Sequence, residues 1–202
     1  MRKSALTLLP LLFIVFAVPL PAWAQEFPKV ELFGGYSYVR MTGDNWSGWN
    51  ASVTKNFNAH LGITADISSF GTSMSQDLTS FVYRSDQHEY TFMIGPQLMY
   101  RGPQKITPFV HLLVGAAHDY YNQSYVYAPG DVPPSFGSYS SNRFAMGFGG
   151  GIDHKLIGPL LVRGQIDYMG IRFGMSGTTQ SAWAKYWRLT AGVVLPLGHK
   201  SY

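Results

Sequence analysis

Glu31, Asp66, Glu89, His111, Arg143, Arg163, Asp167 and Arg188 stand singly inside stretches that are otherwise apolar or made of small residues. Side chains of these types do one of two things away from water. They neutralise one another as hydrogen-bonded ion pairs, or they join a nucleophile or a metal in catalysis. The spacing argues against catalysis. Six histidines occur without HxH or HExxH spacing, and there is no cysteine to complete a ligand set. His118, Asp119 and Ser124 come nearest to a Ser-His-acid set. The stretch "GFGGGID", Gly147–Asp153, has the glycines of a phosphate loop but neither the Lys-Ser/Thr pair nor a following helix. Its glycines are expected to leave space for arginines on neighbouring strands or to allow the strand to bend. No metal, cofactor or enzymatic activity is expected.

The elements that must position these charges are read from alternation. Eight runs have the period-two pattern of strands: Val30–Met41, Gly48–Phe57, Leu61–Phe70, Glu89–Tyr100, Ile106–Asp119, Arg143–Lys155, Leu160–Phe173 and Lys185–Leu197. Their connections alternate in length. "NAH", "RGPQK" and "LIGP" are short. "TGDNWS", "GTSMSQDLTSFVYRSDQH", "YYNQSYVYAPGDVPPSFGSYSSN" and "GMSGTTQSAWA" are mostly long and polar. Short turns at one end and long loops at the other are the asymmetry of outer-membrane barrels.

Parity then separates two faces, because successive side chains of a strand point to opposite sides. Ile106, Pro108, Val110, Leu112, Val114 and Ala116 form a wholly apolar face. Thr107, Phe109, His111, Leu113, Gly115, Ala117 and Asp119 form the other. The remaining runs repeat the division. The lumen of an eight-stranded barrel is just filled by side chains, so the small and polar face belongs inside and the apolar face meets lipid. Tyr36, Tyr38, Trp49, Tyr90, Tyr100, Phe144, Tyr168 and Trp187 near strand ends fit interfacial girdles. Charged residues make up 13% of the chain, against an ordinary value of about 25%. A soluble barrel would carry more charge outside. The fold class expected is all-β: an eight-stranded, antiparallel, up-and-down transmembrane β-barrel.

Residues 1–24 are expected to be a secretory signal peptide. Arg2 and Lys3 precede the apolar "ALTLLPLLFIVFAVPLP", and "AWA" precedes Gln25. Without Arg2 and Lys3 the net charge falls from +4 to +2, with 13 Lys and Arg against 11 Asp and Glu. No nucleic-acid partner is indicated. Residues 25–202 form the expected barrel domain.

"VELFGGYSYVR" as a first strand after a leader resembles the start of the OmpA-like eight-stranded outer-membrane barrels, the porin-family or outer-membrane β-barrel domain. "LTAGVVLPLG" is similar to the C-terminal strand that the barrel-assembly machinery reads, with Thr190, Gly192, Leu195 and Leu197 in place. That signal ordinarily ends on an aromatic residue soon after the motif, whereas "HKSY" follows here. The resemblance covers residues 25–202. It implies the outer membrane of a diderm bacterium, lipid contact and assembly through the last strand. Peptidoglycan tethering is not carried over, because the barrel is expected to take up all of residues 25–202.

The expected role is non-enzymatic, structural or in surface interaction, with a narrow channel for ions or small solutes as the alternative. Asp66, His111, Arg163 and Asp167 are expected near mid-barrel. Glu89, Arg143 and Arg188 are expected toward the long-loop end, giving two layers of ion pairs in the lumen. Tyr120, Tyr121, Tyr125, Tyr127 and Tyr139 are expected to form a loop surface for extracellular ligands.

Overall fold

The computed structural model describes residues 27–40, 45–78, 81–102, 105–127, 135–174 and 181–200; the expected leader lies outside them. Eight strands follow one another: β1 (Phe27–Arg40), β2 (Asn45–Asn56), β3 (Leu61–Leu78), β4 (Phe81–Met99), β5 (Ile106–Tyr127), β6 (Ser135–Lys155), β7 (Leu161–Gly174) and β8 (Ser181–Lys200). Each pairs antiparallel with the next, and β8 returns to β1 from Phe27↔Lys200 to Arg40↔Trp187. Closure leaves no free edge within the belt, so backbone polar groups there are paired inside the sheet, as lipid requires. β8 runs past Leu197 to Lys200, where it meets Phe27.

The short connections are tight for local reasons. Asn58 Oδ1 accepts from the backbone N–H of His60 and of Leu61, 2.8 Å each. This side-chain-to-backbone turn reverses the chain without a longer loop. Between β6 and β7, Leu156 N–H donates to the Leu160 carbonyl at 3.0 Å, and Gly158 supplies the φ of 60° that the turn needs.

The parity of the sequence appears as a division of exposure. Leu32, Val53, Ile63, Ile94, Val110, Leu112, Ile166, Leu189 and Val193 are exposed outward, while the alternate positions are buried in the lumen. Tyr36 pairs with Trp49, and Tyr168 lies 4.9 Å from Trp187, ring to ring, at the long-loop side of this belt.

Four strands extend eight residues beyond the alternating runs at the long-loop end, and β8 begins at Ser181, four residues before Lys185. β3 continues from Phe70 to Leu78, β4 begins at Phe81 rather than Glu89, β5 continues from Asp119 to Tyr127, and β6 begins at Ser135 rather than Arg143. Their ladders stay in register to Leu78↔Phe81, Phe81↔Tyr127 and Tyr125↔Ser135. The β2–β3 ladder stops at Gly71 and the β6–β7 ladder starts at Ala145. The extra length therefore forms a four-stranded wall that rises above one side of the barrel. The apolar alternation stops at Phe70, Glu89, Asp119 and Arg143, but hydrogen-bonded pairing does not need it. Tyr120, Tyr121, Tyr125, Tyr127 and Tyr139, expected in a loop, belong to strands β5 and β6 of this wall.

Candidate functional site

Among the described residues, the charged side chains of the lumen fall into three groups with one apolar section, each built from inward positions on several strands.

At the short-turn end, Arg163 of β7 makes a two-point bond to Asp153 of β6, Nε to Oδ1 at 2.7 Å and Nη2 to Oδ2 at 2.8 Å. The same guanidinium lies 3.5 Å from Glu31 Oε2, and its plane is covered by Phe109 at 4.3 Å and Phe33 at 5.1 Å. Arg101, just beyond β4, binds Glu31 Oε1 and donates to the Ala59 carbonyl at 2.8 Å. Two guanidinium groups thus face two carboxylates, which is what makes such a buried cluster tolerable.

The middle group centres on Arg188 of β8, which is 0% exposed. It donates to Asp167 Oδ2 at 2.8 Å, to Asp66 Oδ1 at 3.0 Å and to Ser68 Oγ at 3.2 Å. His111 Nε2 lies 2.8 Å from Asp167 Oδ1. With Asp167 ionised, that nitrogen carries the proton and donates it. Asn50 donates to Asp66 at 2.9 Å and Gln165 to Asp167 at 3.1 Å. Gly149 makes the arrangement possible: a Cβ there would sit 2.0 Å from Asp167 Oδ1. The glycines of β6 therefore leave space for Asp167, Met169 and Gln165, not for arginines.

Above it, Phe70, Met93, Leu113, Ala117, Ala145, Met169 and Ile171 meet inside the lumen in one buried apolar cluster with Val39, Trp46 and Tyr186. Over this lies the third polar group. Tyr186 donates to Glu89 at 2.6 Å, while Arg143 lies 3.2 Å from Asp119 and stacks 3.9 Å over the Phe173 ring.

The eight inward residues singled out from the sequence are thus divided among three groups rather than two layers. Arg163 meets Glu31, not the mid-barrel aspartates. Arg188 joins Asp66, Asp167 and His111, and Glu89 and Arg143 sit in separate pairs. Titratable partners outside that set are Arg101, Asp119, Asp153 and Tyr186. Asp153 continues the alternate positions of Arg143 to Gly151, so parity alone would have placed it inward. In the wall, Tyr121 and Tyr139 are register partners on the inner face, while Tyr120 is exposed on the outer face. Tyr121 and Tyr83 hydroxyls are 3.1 Å apart, and bonds to Ser85 and then Tyr83 draw the Tyr121 phenol below its ordinary pKa. Of Tyr125 and Tyr127, the backbone alone is described. Among the described residues, no group of three His, Asp or Glu is placed to hold a metal ion.

Comparison with known proteins agrees with this architecture. The family model for the outer membrane protein beta-barrel domain matches residues 9–194. The crystal structure of the outer membrane protein OprG from Pseudomonas aeruginosa aligns with 89% of this chain and 99% of its own, at 14% identity and a TM-score of 0.51. Ail, the attachment invasion locus protein of Yersinia pestis, aligns with 86% of this chain and 100% of its own, at 18% identity and a TM-score of 0.48. At 14% identity the likeness to OprG speaks to the fold alone. No curated protein matches the sequence.

Proposed function

The chain belongs to the outer membrane protein beta-barrel domain family, and from that premise we propose a non-enzymatic barrel that holds the β3–β6 wall outside the outer membrane as a surface for extracellular partners. The observation that carries this reading is the apolar section of the lumen. Phe70, Met93, Leu113, Met169 and Ile171 pack between two polar groups. An ion or polar solute would have to shed water to pass them. A lumen filled this way serves as a core that keeps the barrel rigid beneath the wall. Tyr139, 61% exposed, and Tyr120, 41% exposed, offer aromatic surface above the lipid belt, of the kind that suits adaptable binding faces.

The supporting steps are part of the same proposal. Residues 1–24 direct export and are cleaved after Ala24, and the β8 segment "LTAGVVLPLG" is read by the barrel-assembly machinery. The lipids of the outer membrane cover the apolar face.

A channel for ions or small solutes is the second reading. Its support is a set of buried polar atoms without hydrogen-bond partners: Glu31 Oε2, Asn56 Oδ1, Gln97 Nε2, His111 Nδ1 and Asn50 Oδ1. Water could hydrate these from the short-turn side. Planar-bilayer recordings of the purified, refolded chain separate the two. No conductance above the bare bilayer is expected. Discrete steps that change when Arg163→Gln or Asp167→Asn is introduced would replace the structural reading with the channel. The surface role is tested on cells displaying the chain with and without residues 121–138. Equal adhesion to protein-coated and glycan-coated surfaces would remove it.

A further inference from the structure

The lumen cations Arg101, Arg143, Arg163 and Arg188 each meet a carboxylate. Among the described residues, several exposed outward cations form no ion pair, and three of these cluster on one sector. Arg172 of β7, Lys185 of β8 and Arg40 of β1 occupy outward positions on adjacent strands, and all three are exposed. Register sets them in steps. Arg172 faces Trp183, Lys185 faces Gly170, and Arg40 faces Trp187, which on its other side faces Tyr168. Two residues along a strand span about 7 Å and neighbouring strands lie about 5 Å apart. The three flexible side chains therefore reach over one patch roughly 15 Å across. Among the described residues, the outward positions of β7, β8 and β1 carry no Asp or Glu.

The surroundings fix the depth of the patch. Trp183 meets Phe144 edge-on at 6.1 Å, and its ring occupies the space a side chain at Gly170 would fill, 3.3 Å from an added Cβ. Indole rings of this kind mark the level of lipid headgroups. Below them on the same faces stand Ile166, Leu189 and Val193, in the apolar belt. Guanidinium and ammonium groups at that level are matched by phosphate, which arginine grips with two parallel hydrogen bonds. Aromatic faces beside them suit a sugar ring and the first carbons of an acyl chain.

We infer that this β7–β8–β1 sector is a binding site for a phosphorylated glycolipid of the leaflet on the long-loop side. Arg172, Lys185 and Arg40 take its phosphates, and Trp183 and Trp187 seat its sugar. The inference needs membership of the outer-membrane family but not the proposed role of the β3–β6 wall, which lies on other strands.

The test uses the full barrel in phosphatidylcholine nanodiscs, titrated with diphosphorylated lipid A and followed by native mass spectrometry. The variant combines Arg40→Gln, Arg172→Gln and Lys185→Gln, and Lys55→Gln at the opposite rim serves as control. Basic side chains near an anionic lipid surface are additive contributors, so affinity should fall on the order of a hundredfold in the triple variant and stay unchanged in the control. Lipid A stripped of phosphate should bind the wild type as weakly as intact lipid A binds the triple variant. Equal affinity for intact and stripped lipid A, or an unchanged triple variant, overturns the site. Displacement by inorganic phosphate at the concentration at which lipid A binds overturns the lipid as its ligand. The stripped-lipid arm needs only wild-type protein, so the outcome stands even where the triple variant does not refold.

Discussion

Arg188 shows what a single lumen residue does. Its guanidinium neutralises Asp66 of β3 and Asp167 of β7 together. Arg188→Ala leaves two carboxylates buried without a cation, and breaking a buried pair in this way costs about 3–5 kcal/mol. Urea unfolding of the refolded barrel, followed by tryptophan fluorescence, should show a loss of that size. Arg188→Met together with Asp66→Asn and Asp167→Asn should recover most of it, because no bare charge remains. Gly149→Ala should act through the same group. The added methyl would lie 2.0 Å from Asp167 Oδ1 and 2.5 Å from the Ile166 carbonyl oxygen, so a destabilisation of about 1–3 kcal/mol is expected from overpacking. The same change in an Asp167→Gly background should be milder.

At the scale of the element, β5 joins two environments on one ladder. Leu112 lies outward in the apolar belt and Tyr120 lies outward farther along the same strand. Leu112→Arg should cost about 2–4 kcal/mol and Tyr120→Arg about 0–1 kcal/mol, as arginine does at the midplane and at the interface of such barrels. Urea midpoints of the two variants in bilayers would locate where lipid contact ends along the strand. Equal costs would mean that Tyr120 also lies at mid-membrane depth and that the wall does not clear the lipid. The extension of β3 to β6 was hidden in the sequence for a physical reason. Residues such as "TSMSQDL" and "YYNQSYVY" have no apolar face to alternate, because both faces of a wall above the membrane meet water. Their pairing comes from continuing a ladder already in register below them.

For the whole molecule, the order of lumen contents along the axis decides behaviour. Polar groups at the short-turn end and in the middle are separated from the Glu89–Tyr186 and Asp119–Arg143 pairs by the apolar section. Cutting that section back with Met93→Ala, Leu113→Ala and Met169→Ala together should raise conductance in planar bilayers above the bare-membrane level. Arg143→Gln should leave it there. The same triple variant loses about 2–5 kcal/mol per deleted large side chain at most, so its folding is verified first by heat-dependent mobility on gels.

Period-two alternation determined the strand number and separated two faces, because side-chain parity in a strand is local. Connection lengths marked the short-turn end, and the small residues of one face, the aromatic strand ends and the low charge content set which face meets lipid. Inward parity was equally legible for Asp153, which continues the positions of Arg143 to Gly151. The choice of partner was not. Arg188 meets Asp66 across 122 residues of chain, and Arg163 finds Asp153 and Glu31 rather than the aspartates at mid-barrel. Those pairings depend on how the eight strands are staggered when the sheet closes. Stagger is a property of the closed ladder, and no single strand carries it.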